Sequence, residues 1–575
     1  MKKRIFIVSI AVIFLFYFYA CNLGSSSGNS SISADSTAIT KGEAVFNQNC
    51  SGCHNFKQDG IGPQLSGLTT KVSREWIQQF IRDPQKVINS GDNHAQQLYK
   101  KYKVFMPSFA ALKNDELDAI ITFLNTYKIP AQVTKLNGNE LLNPIPDKIK
   151  FSGLVAGLQV ITQIPSSSDS GKLPLARITK LDFEPNTGSS FVLDLRGKLY
   201  RLQNNKPTIY MNMADLKPKF INEPGLATGF GSFAFHPRFS KNGLLYTTHT
   251  EPAGSAKADF DYADSIKVTL QWVLTEWKAD NPAATSFSGT GRELFRVNMV
   301  AGIHGMQEIT FNPLAKRGDE DYGLLYIGIG DGGSVENGYP FLAHNLEKVW
   351  GTILRINPAG RNSANGQYGI PSQNPFIERQ NVKARGEIYA YGFRNPHRIT
   401  WSKSGQMLAC NIGHGNIESV NLVKKGHDYG WPVREGSFVL NPYGELNKVY
   451  ALSANDSSFH ITYPVAEYDH DEGKAISGGF EYWGTAVPEL KGKYLFGDIP
   501  TGRLFYVEMT EVKQGSHASI KEWKVAIDGA QKGLSELCGS ERVDLHFGRD
   551  YKGELYIFTK ADGKIYKLVS ATYLK

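Results

Sequence analysis

The stretch NQNCSGCHNF, residues 47–56, places two cysteines three positions apart and a histidine directly after the second. The whole 575-residue chain holds only five cysteines. Cys-x-x-Cys alone would suit a redox dithiol or half of a zinc site, but no second pair of ligands follows at similar spacing. Cys-x-x-Cys-His is the attachment sequence of a c-type haem. We therefore predict that Cys50 and Cys53 hold a covalent haem c, and that His54 is an iron ligand.

The flanking segments support a haem site. KGEAVFNQN, directly before Cys50, predicts a short helix with Ala44 and Val45 facing inward. GIGPQLSGL, residues 60–68, resembles the loop of c-type cytochromes whose proline carbonyl holds the ligand histidine. Met106, followed by proline in VFMPSF, is the predicted sixth ligand, because Met/His ligation is typical of electron-transfer haems.

A second helix completes this region. NDELDAIITFLNTY has apolar residues at Leu117, Ile120, Ile121 and Leu124, the spacing of an amphipathic helix. Residues 38–128 therefore resemble a small all-α class I cytochrome c domain, an electron carrier that needs a donor.

The N-terminus carries a targeting signal. MKKR precedes an apolar run, residues 5–20, that ends before Cys21. This pattern resembles a bacterial lipoprotein signal, in which Cys21 becomes the lipidated first residue. An uncleaved membrane anchor is the alternative, and either one exports the rest of the chain to the periplasm or cell surface. Residues 22–37, rich in serine and glycine, predict a flexible tether.

Bulk composition limits the classes of function. The length predicts two or more domains, and the net charge of +8 comes from basic and acidic residues that are scattered along the chain, which argues against a nucleic-acid partner. Residues 129–150 contain three prolines and predict a linker. From residue 151 to 575 a loose unit recurs six times: an aromatic near a Pro, Gly or Ser, a turn, then a short apolar strand. Such a repeat predicts an all-β six-bladed β-propeller.

Several loops of this region carry a family resemblance. The segments GIHGMQEITFNP, YGFRNPHRITW, NIGHGNIESVNLV and GHDYGWPVREG, in this order, resemble the pyrroloquinoline quinone (PQQ) dependent glucose/sorbosone dehydrogenases, also called aldose sugar dehydrogenases.

The resemblance implies roles for particular residues. His304 matches the family's catalytic base, and Arg394 and Asn395 match residues that lie against PQQ. Arg542 falls where the family has an arginine for a PQQ carboxylate. The main-chain carbonyls of Gly413 and His414 match ligands of a Ca²⁺ that polarises the quinone.

The chain also departs from the better-known members. Ile303 and Glu308 stand where those enzymes have aspartate and arginine. A PQQ-binding lysine falls at Pro500, with Arg503 as a candidate replacement, and a PQQ-contacting glutamine falls near Ala227 and Thr228. These departures leave the choice of sugar and part of the cofactor affinity open.

Cys410 and Cys538 each precede a proposed cofactor loop. In an exported protein two such residues can pair. We expect a disulfide between them, with two unpaired buried thiols as the alternative.

Together these features predict a quinohaemoprotein dehydrogenase that oxidises an aldose-type sugar and passes electrons to the haem, then to a downstream acceptor. A second interpretation is a non-catalytic glycan- or protein-binding propeller that carries an electron-transfer cytochrome. A third is a PQQ-free hydrolase, for which Asp331 in GDGG is a weak signal.

Overall fold

The computed structural model describes residues 35–51, 53–57, 59, 62–102, 106–128, 139–168, 173–223, 227–377 and 383–574. The signal segment and Cys21 lie outside these residues. The N-terminal region is helical and consists of α1 (Ser36–Asn49), α2 (Arg74–Arg82), α3 (Pro84–Asn89), α4 (Asn93–Tyr102) and α5 (Asn114–Leu124). Asp35 caps α1 by accepting hydrogen bonds from the amides of Thr37 and Ala38, so this helix begins inside the predicted tether.

Helices α1 and α5 pack closely against each other. The four apolar residues predicted to form one face of α5 are all buried, which confirms the predicted amphipathic helix. On α1, Val45 is buried as predicted, but Ala44 is exposed and Phe46 is buried instead. Gly42 makes the close approach possible, because a Cβ there would lie 1.9 Å from the carbonyl oxygen of Ala119.

The rest of the chain is a large β-rich domain. Its sheets are antiparallel apart from one strand pair, and most strands that are consecutive in sequence pair with each other. The first strand, β1 (Lys150–Gln163), belongs to the last sheet. The first four-stranded sheet contains β2 (Ile178–Phe183), β3 (Ser190–Asp194), β4 (Lys198–Gln203) and β5 (Lys206–Asn212), and the second contains β6 (Phe230–Phe235), β7 (Leu244–Pro252), β8 (Leu270–Ala279) and β9 (Gly289–Met299). The third contains β10 (Glu308–Phe311), β11 (Leu325–Ile329), β12 (Thr352–Ile356) and β13 (Ile388–Tyr391).

The later sheets follow the same plan with one insertion. The fourth four-stranded sheet contains β14 (Pro396–Trp401), β15 (Met407–Asn411), β16 (Ile417–Val423) and β20 (Ala466–Asp469). The inserted sheet between β16 and β20 contains β17 (Arg434–Glu435), β18 (Phe438–Leu440) and β19 (Val449–Tyr450). The last sheet has nine strands, which are β1 with β21 (Ile476–Glu481), β22 (Lys493–Asp498), β23 (Leu504–Glu508), β24 (Lys521–Ile527), β25 (Ala530–Lys532), β26 (Leu545–Arg549), β27 (Leu555–Thr559) and β28 (Lys564–Tyr573). Short helices α6 (Met213–Leu216), α7 (Phe239–Asn242) and α8 (Leu534–Cys538) lie in the connections.

Strand β1 joins the two ends of the domain. It pairs antiparallel with β28, the last strand, and parallel with β24. The start of the domain is therefore hydrogen-bonded to its end, which closes the fold without a free edge at that point.

Buried charges connect the first strands of three sheets. Glu308 on β10 accepts a hydrogen bond from Lys180 on β2 at 2.6 Å and also pairs with Arg398 on β14. Both cations are about 4–5 % exposed and Glu308 is about 1 % exposed, so the network holds these strands together in the interior. Across the described residues, every helix is too short or too polar to cross a membrane.

Candidate functional site

The haem-attachment residues lie at the C-terminal end of α1. Cys50 is buried, Cys53 is partly buried, and neither is in a disulfide. The ring of His54 donates from Nδ1 to the carbonyl oxygen of Pro63 at 2.8 Å, which confirms the predicted proline contact. This bond leaves Nε2 as the nitrogen with a free lone pair, as an iron ligand requires.

The loop is shaped around that imidazole. A Cβ at position 62 would lie 2.4 Å from Cε1 of His54, so Gly62 leaves room for the ring. Met106 is partly buried and packs on the hydrophobic cluster that contains Val45, Phe46 and Leu117. Two free thiols, one oriented histidine and a nearby methionine fit a covalent haem c.

The candidate catalytic site lies where loops of several sheets meet, and His304 is its best-positioned base. This residue is 8 % exposed and has a positive φ of 51°, a conformation rare outside glycine. Its Nδ1 donates to Oδ1 of Asp331 at 2.9 Å, and Oδ2 of Asp331 accepts from Nε1 of Trp431 at 3.1 Å. The carboxylate thereby sets the tautomer and leaves Nε2 of His304 as a proton acceptor.

Electrostatics keep this pair ready for base catalysis. Burial lowers the pKa of His304, the charge of Arg394 lowers it further, and the hydrogen bond to Asp331 partly opposes them. Burial alone would raise the pKa of Asp331, but the hydrogen bond from His304 and the charge of Arg394 hold it below its usual value. The imidazole is therefore neutral and the carboxylate ionised near neutral pH.

Arg394 is buried beside this pair and only partly satisfied. Its Nη1 donates to the carbonyl oxygen of Gly413, and its Nη2 lies 3.6 Å from Oε2 of Glu336. Nε and Nη2 have no hydrogen-bond partner among the described residues. A buried guanidinium with unused donors fits an anionic or carbonyl-bearing ligand.

Glu336 and His414 lie next to Arg394. Nδ1 of His414 lies 3.5 Å from Oε2 of Glu336. Burial raises the pKa of Glu336 to about 7, although the charge of Arg394 opposes it. Burial, with Arg394, lowers the pKa of His414 well below its usual value, so this ring is neutral.

The loop that carries Gly413 and His414 is wrapped around one carboxylate. Oε1 of Glu435 accepts hydrogen bonds from the amides of His414, Gly415, Asn416 and Ile417, the shortest being 2.7 Å. The carbonyl oxygen of Gly413, just before these amides, accepts the hydrogen bond from Nη1 of Arg394. A role of the Gly413 and His414 carbonyls as Ca²⁺ ligands remains a prediction.

The other predicted cofactor residues are Asn395 and Arg542. Asn395 is buried, and its main-chain N–H donates to Oδ1 of Asn411 at 2.9 Å. Arg542 donates from Nε to Oδ1 of Asp544 at 2.9 Å, and its side chain remains 44 % exposed. Arg542 is thus held by one carboxylate but keeps its remaining donors accessible.

Two of the sequence-based expectations were wrong. Arg503 does not present a free charge, because it pairs with Glu472 at 2.7 Å and with Glu522 at 2.8 Å. Cys410 and Cys538 are not paired: Cys410 lies in a buried cluster with its Sγ 3.6 Å from the hydroxyl of Tyr494, whereas Cys538 lies at the end of α8. Their nearness to cofactor loops along the chain does not bring the two sulfurs together.

The haem-attachment loop lies directly over this site. Nε2 of His414 donates to the main-chain oxygen of Asp59 at 3.2 Å, and Nζ of Lys57 lies 4.1 Å from the centroid of the Tyr339 ring. The charges of Arg542 and Glu336 both act on the Cys53 thiol, whose pKa is raised chiefly by burial. On α1, Glu43 pairs with Lys267 of the β-rich domain.

Sequence reasoning missed two residues of the site. Asp331 was considered only as a hydrolase signal, yet it orients His304. Glu336 lies five residues further along in the same loop and contacts Arg394. The signal that could have found both is a carboxylate-bearing loop, GDGGSVE, directly after the buried strand β11.

Family comparisons match two parts of the chain. Residues 175–567 match the model described as "Glucose / Sorbosone dehydrogenase", and residues 39–128 match that of cytochrome c. Among solved structures, the soluble aldose sugar dehydrogenase of Escherichia coli is 19 % identical, covers 73 % of this chain and 100 % of its own, and has a TM-score of 0.49.

Individual relatives are distant. The HIPL1 protein of Arabidopsis thaliana is 26 % identical over 385 residues, which is 59 % of this chain and 53 % of that protein. Quinoprotein glucose dehydrogenase B of Acinetobacter calcoaceticus is 24 % identical over 55 % of this chain and 64 % of its own. The human Hedgehog-interacting protein is 24 % identical over 59 % of this chain and 43 % of its own length.

The matched region spans about half the length of the HIPL1 protein. Within this chain, the family match covers more than half of all residues and includes His304, Asp331, Glu336, Arg394 and His414. The chain therefore belongs to the glucose/sorbosone dehydrogenase family, and a cytochrome c domain precedes the family region in the same polypeptide.

Proposed function

We propose that the protein is a quinohaemoprotein dehydrogenase that oxidises an aldose-type sugar, or a related hydroxyl compound, with PQQ and passes the electrons to its covalent haem. The observation that carries this proposal is the position of the haem-attachment loop, which contacts His414 of the candidate catalytic pocket through Asp59. Covalent fusion keeps the electron acceptor at high local concentration.

The chain's own residues supply the acid–base chemistry. Oxidation of a sugar hemiacetal removes a proton from the hydroxyl and a hydride from the carbon, and it yields a lactone. His304 accepts the proton at Nε2, because Nδ1 is committed to Asp331. Arg394 is buried with two unused donor atoms, and it would stabilise negative charge on the electron acceptor when that group is bound.

When bound, PQQ would supply the hydride-accepting carbonyl and Ca²⁺ would polarise it. Arg394, Asn395 and Arg542 would hold PQQ, and the carbonyl oxygens of Gly413 and His414 would hold Ca²⁺. His54 and Met106 would hold the haem iron, and Cys50 and Cys53 would hold the haem covalently.

The β-rich domain is best explained as a six-bladed propeller. Four of its sheets have four strands each, and the nine-stranded sheet divides into β21–β24 and β26–β28 with β1. On this interpretation β1 is the outer strand of the last blade, which is why the first and last strands pair.

We also propose that the chain is an exported lipoprotein, tethered to the membrane through Cys21. Radiolabelled palmitate should enter the wild type but not a Cys21→Ala variant. Equal labelling of both would contradict the lipid anchor.

A non-catalytic binding propeller is the second candidate, favoured by a relative named Hedgehog-interacting protein and by the departures at Pro500 and Ala227. One experiment separates the two. The purified chain is incubated with Ca²⁺ and PQQ, separated from free cofactor, and assayed with a panel of aldoses and an artificial electron acceptor. Turnover that needs both PQQ and sugar supports the dehydrogenase, whereas no PQQ uptake and no turnover across the panel supports the binding protein.

A further inference from the structure

Three cations lie near one another beside the strands β2, β26 and β27. Lys560 follows β27 directly, Arg177 precedes β2, and Arg542 precedes β26. The main chain brings them together, because the amide of Lys560 donates to the carbonyl oxygen of Asp544 at 3.2 Å and the amide of Ala176 donates to that of Lys560 at 3.2 Å.

The ammonium of Lys560 has no bonded partner in the part of the chain that the structure describes. Among the described residues, Lys560 forms no ion pair within 4 Å and no side-chain hydrogen bond. Burial lowers its pKa to about 8; the charges of Arg177 and Arg542 contribute to this, and Asp544 opposes it. Asp544 accepts a hydrogen bond from Nε of Arg542 at 2.9 Å, so Arg542 and Lys560 share this one carboxylate.

Two buried histidines next to Lys560 are also unsatisfied. His397 on β14 and His546 on β26 are 5 % and 1 % exposed, with ring centroids 5.6 Å apart. Both ring nitrogens of His397 and Nε2 of His546 have no hydrogen-bond partner among the described residues. Because buried polar atoms are nearly always paired in folded proteins, this set indicates a ligand with several acceptor oxygens.

The position of Lys560 explains a departure found in the sequence. Where other family members have a PQQ-binding lysine, this chain has Pro500. The carbonyl oxygen of Pro500 accepts from the amide of Val543 at 2.8 Å, and the carbonyl oxygen of Val543 accepts from the amide of Ala561. The segment that carries Arg542 therefore lies between Pro500 and Lys560. Lys560 and the candidate base His304 both act on the ring of His397, so both lie near it.

We propose that Lys560, with Arg542 and the two histidines His397 and His546, forms the carboxylate-binding subsite of the cofactor pocket and replaces the lysine that is missing at Pro500. This inference rests on the proposed function, because the ligand with several carboxylates is PQQ. The ammonium of Lys560 would pair with one carboxylate of PQQ, and the neutral rings of His397 and His546 would donate hydrogen bonds to the same carboxylate.

The test measures binding of PQQ to the haem-loaded protein without substrate. Equilibrium dialysis against PQQ in the presence of Ca²⁺ gives Kd for the wild type, Lys560→Gln, Lys560→Arg and the control Lys552→Gln, whose lysine is exposed on the hairpin between β26 and β27. We expect Lys560→Gln to raise Kd about tenfold or more, because a charge-assisted hydrogen bond is lost. Lys560→Arg and Lys552→Gln should stay within about threefold of the wild type, and the rise of Kd with salt should be less steep for Lys560→Gln.

The outcomes separate this inference from the function on which it rests. If the wild type binds PQQ and Lys560→Gln binds it within twofold, the carboxylate-binding subsite is wrong and the dehydrogenase proposal stands. If the wild type takes up no PQQ, both are wrong. Should glutamine prevent folding, Lys560→Met keeps the aliphatic stem without the charge and gives the same comparison.

Discussion

At the scale of single residues, the site depends on a short chain of hydrogen bonds from Trp431 through Asp331 to His304. In the proposed reaction, Asp331 does not touch the reacting atoms. It acts through His304 by fixing which ring nitrogen carries the proton, so it is a positioning residue. Its own second oxygen is held by the indole, which prevents rotation of the carboxylate.

Replacement of Asp331 by asparagine should lower kcat by about tenfold to a thousandfold while PQQ still binds, because part of the contribution of a positioned base is lost. The hydrogen bond to Asp331 raises the pKa of His304. Its loss should therefore shift the acidic limb of the kcat/KM profile to lower pH, since a base with a lower pKa stays neutral further into acid. The pH profiles of wild type and Asp331→Asn, measured with an artificial acceptor, check both effects.

A matched control is Asp319→Asn, a carboxylate in an exposed turn before β11 that should change neither kcat nor the profile. A variant Asp331→Asn with wild-type kcat and an unshifted acidic limb would contradict the positioning role.

The residue scale also shows what sequence can predict. The haem motif is contiguous, so Cys50, Cys53 and His54 follow from adjacent letters, and His304 and Arg394 follow from family segments. Asp331 was not assigned to the site because its partner His304 lies 27 residues earlier in a different loop. Lys560 was not assigned because its neighbours Arg177 and His397 come from other sheets. Arg503 was misjudged for the same reason: the carboxylates that neutralise it, Glu472 and Glu522, are remote in sequence.

At the scale of secondary-structure elements, the packing of α1 on α5 holds the haem motif in place. Cys50 directly follows α1, so a shift of this helix would move the attachment site. Periodicity predicted the buried face of α5 correctly. It misplaced Ala44 on α1, because the close contact is made at Gly42 and turns the helix so that Phe46, rather than Ala44, is buried.

Gly42→Ala should destabilise the cytochrome domain by about 1–3 kcal/mol, the usual cost of overpacking a close contact. Urea unfolding followed by the absorption of the haem measures this change. Ala44→Ser, on the exposed side of the same helix, should alter the free energy of unfolding by no more than about 0.5 kcal/mol. Equal stability of Gly42→Ala and wild type would show that the helices are not in tight contact.

At the scale of the whole molecule, the cytochrome domain lies against the loops of the candidate catalytic pocket. Among the described residues, polar contacts between the domains include the His414–Asp59 and Gln48–Glu223 hydrogen bonds, the Lys57–Tyr339 contact and the Lys267–Glu43 ion pair. Sequence predicted both domains but not their arrangement, because none of these contacts follows a local pattern.

The ion pair offers a test of this arrangement. Its side chains are 69 % and 37 % exposed, so it contributes about 0–1 kcal/mol. Lys267→Glu places two like charges together and should slow electron transfer to the haem by a few-fold, with a smaller effect at high salt. The swap Glu43→Lys with Lys267→Glu should restore the rate, whereas Lys206→Glu, exposed on β5, should leave it unchanged. Stopped-flow absorbance of the haem measures all four; no change in Lys267→Glu at low salt would contradict the docked arrangement.

The most direct test of the account is haem reduction by sugar within one polypeptide. The oxidised protein, loaded with PQQ and Ca²⁺, is mixed with an aldose that supports turnover, and the ferrous haem band is followed at several protein concentrations. The account predicts reduction at a rate that does not change with protein concentration, that requires PQQ, and that falls about a hundredfold or more in His304→Ala. A haem that stays oxidised while an artificial acceptor is reduced, or a rate proportional to protein concentration, would contradict the claim that the pocket and the haem form one electron path.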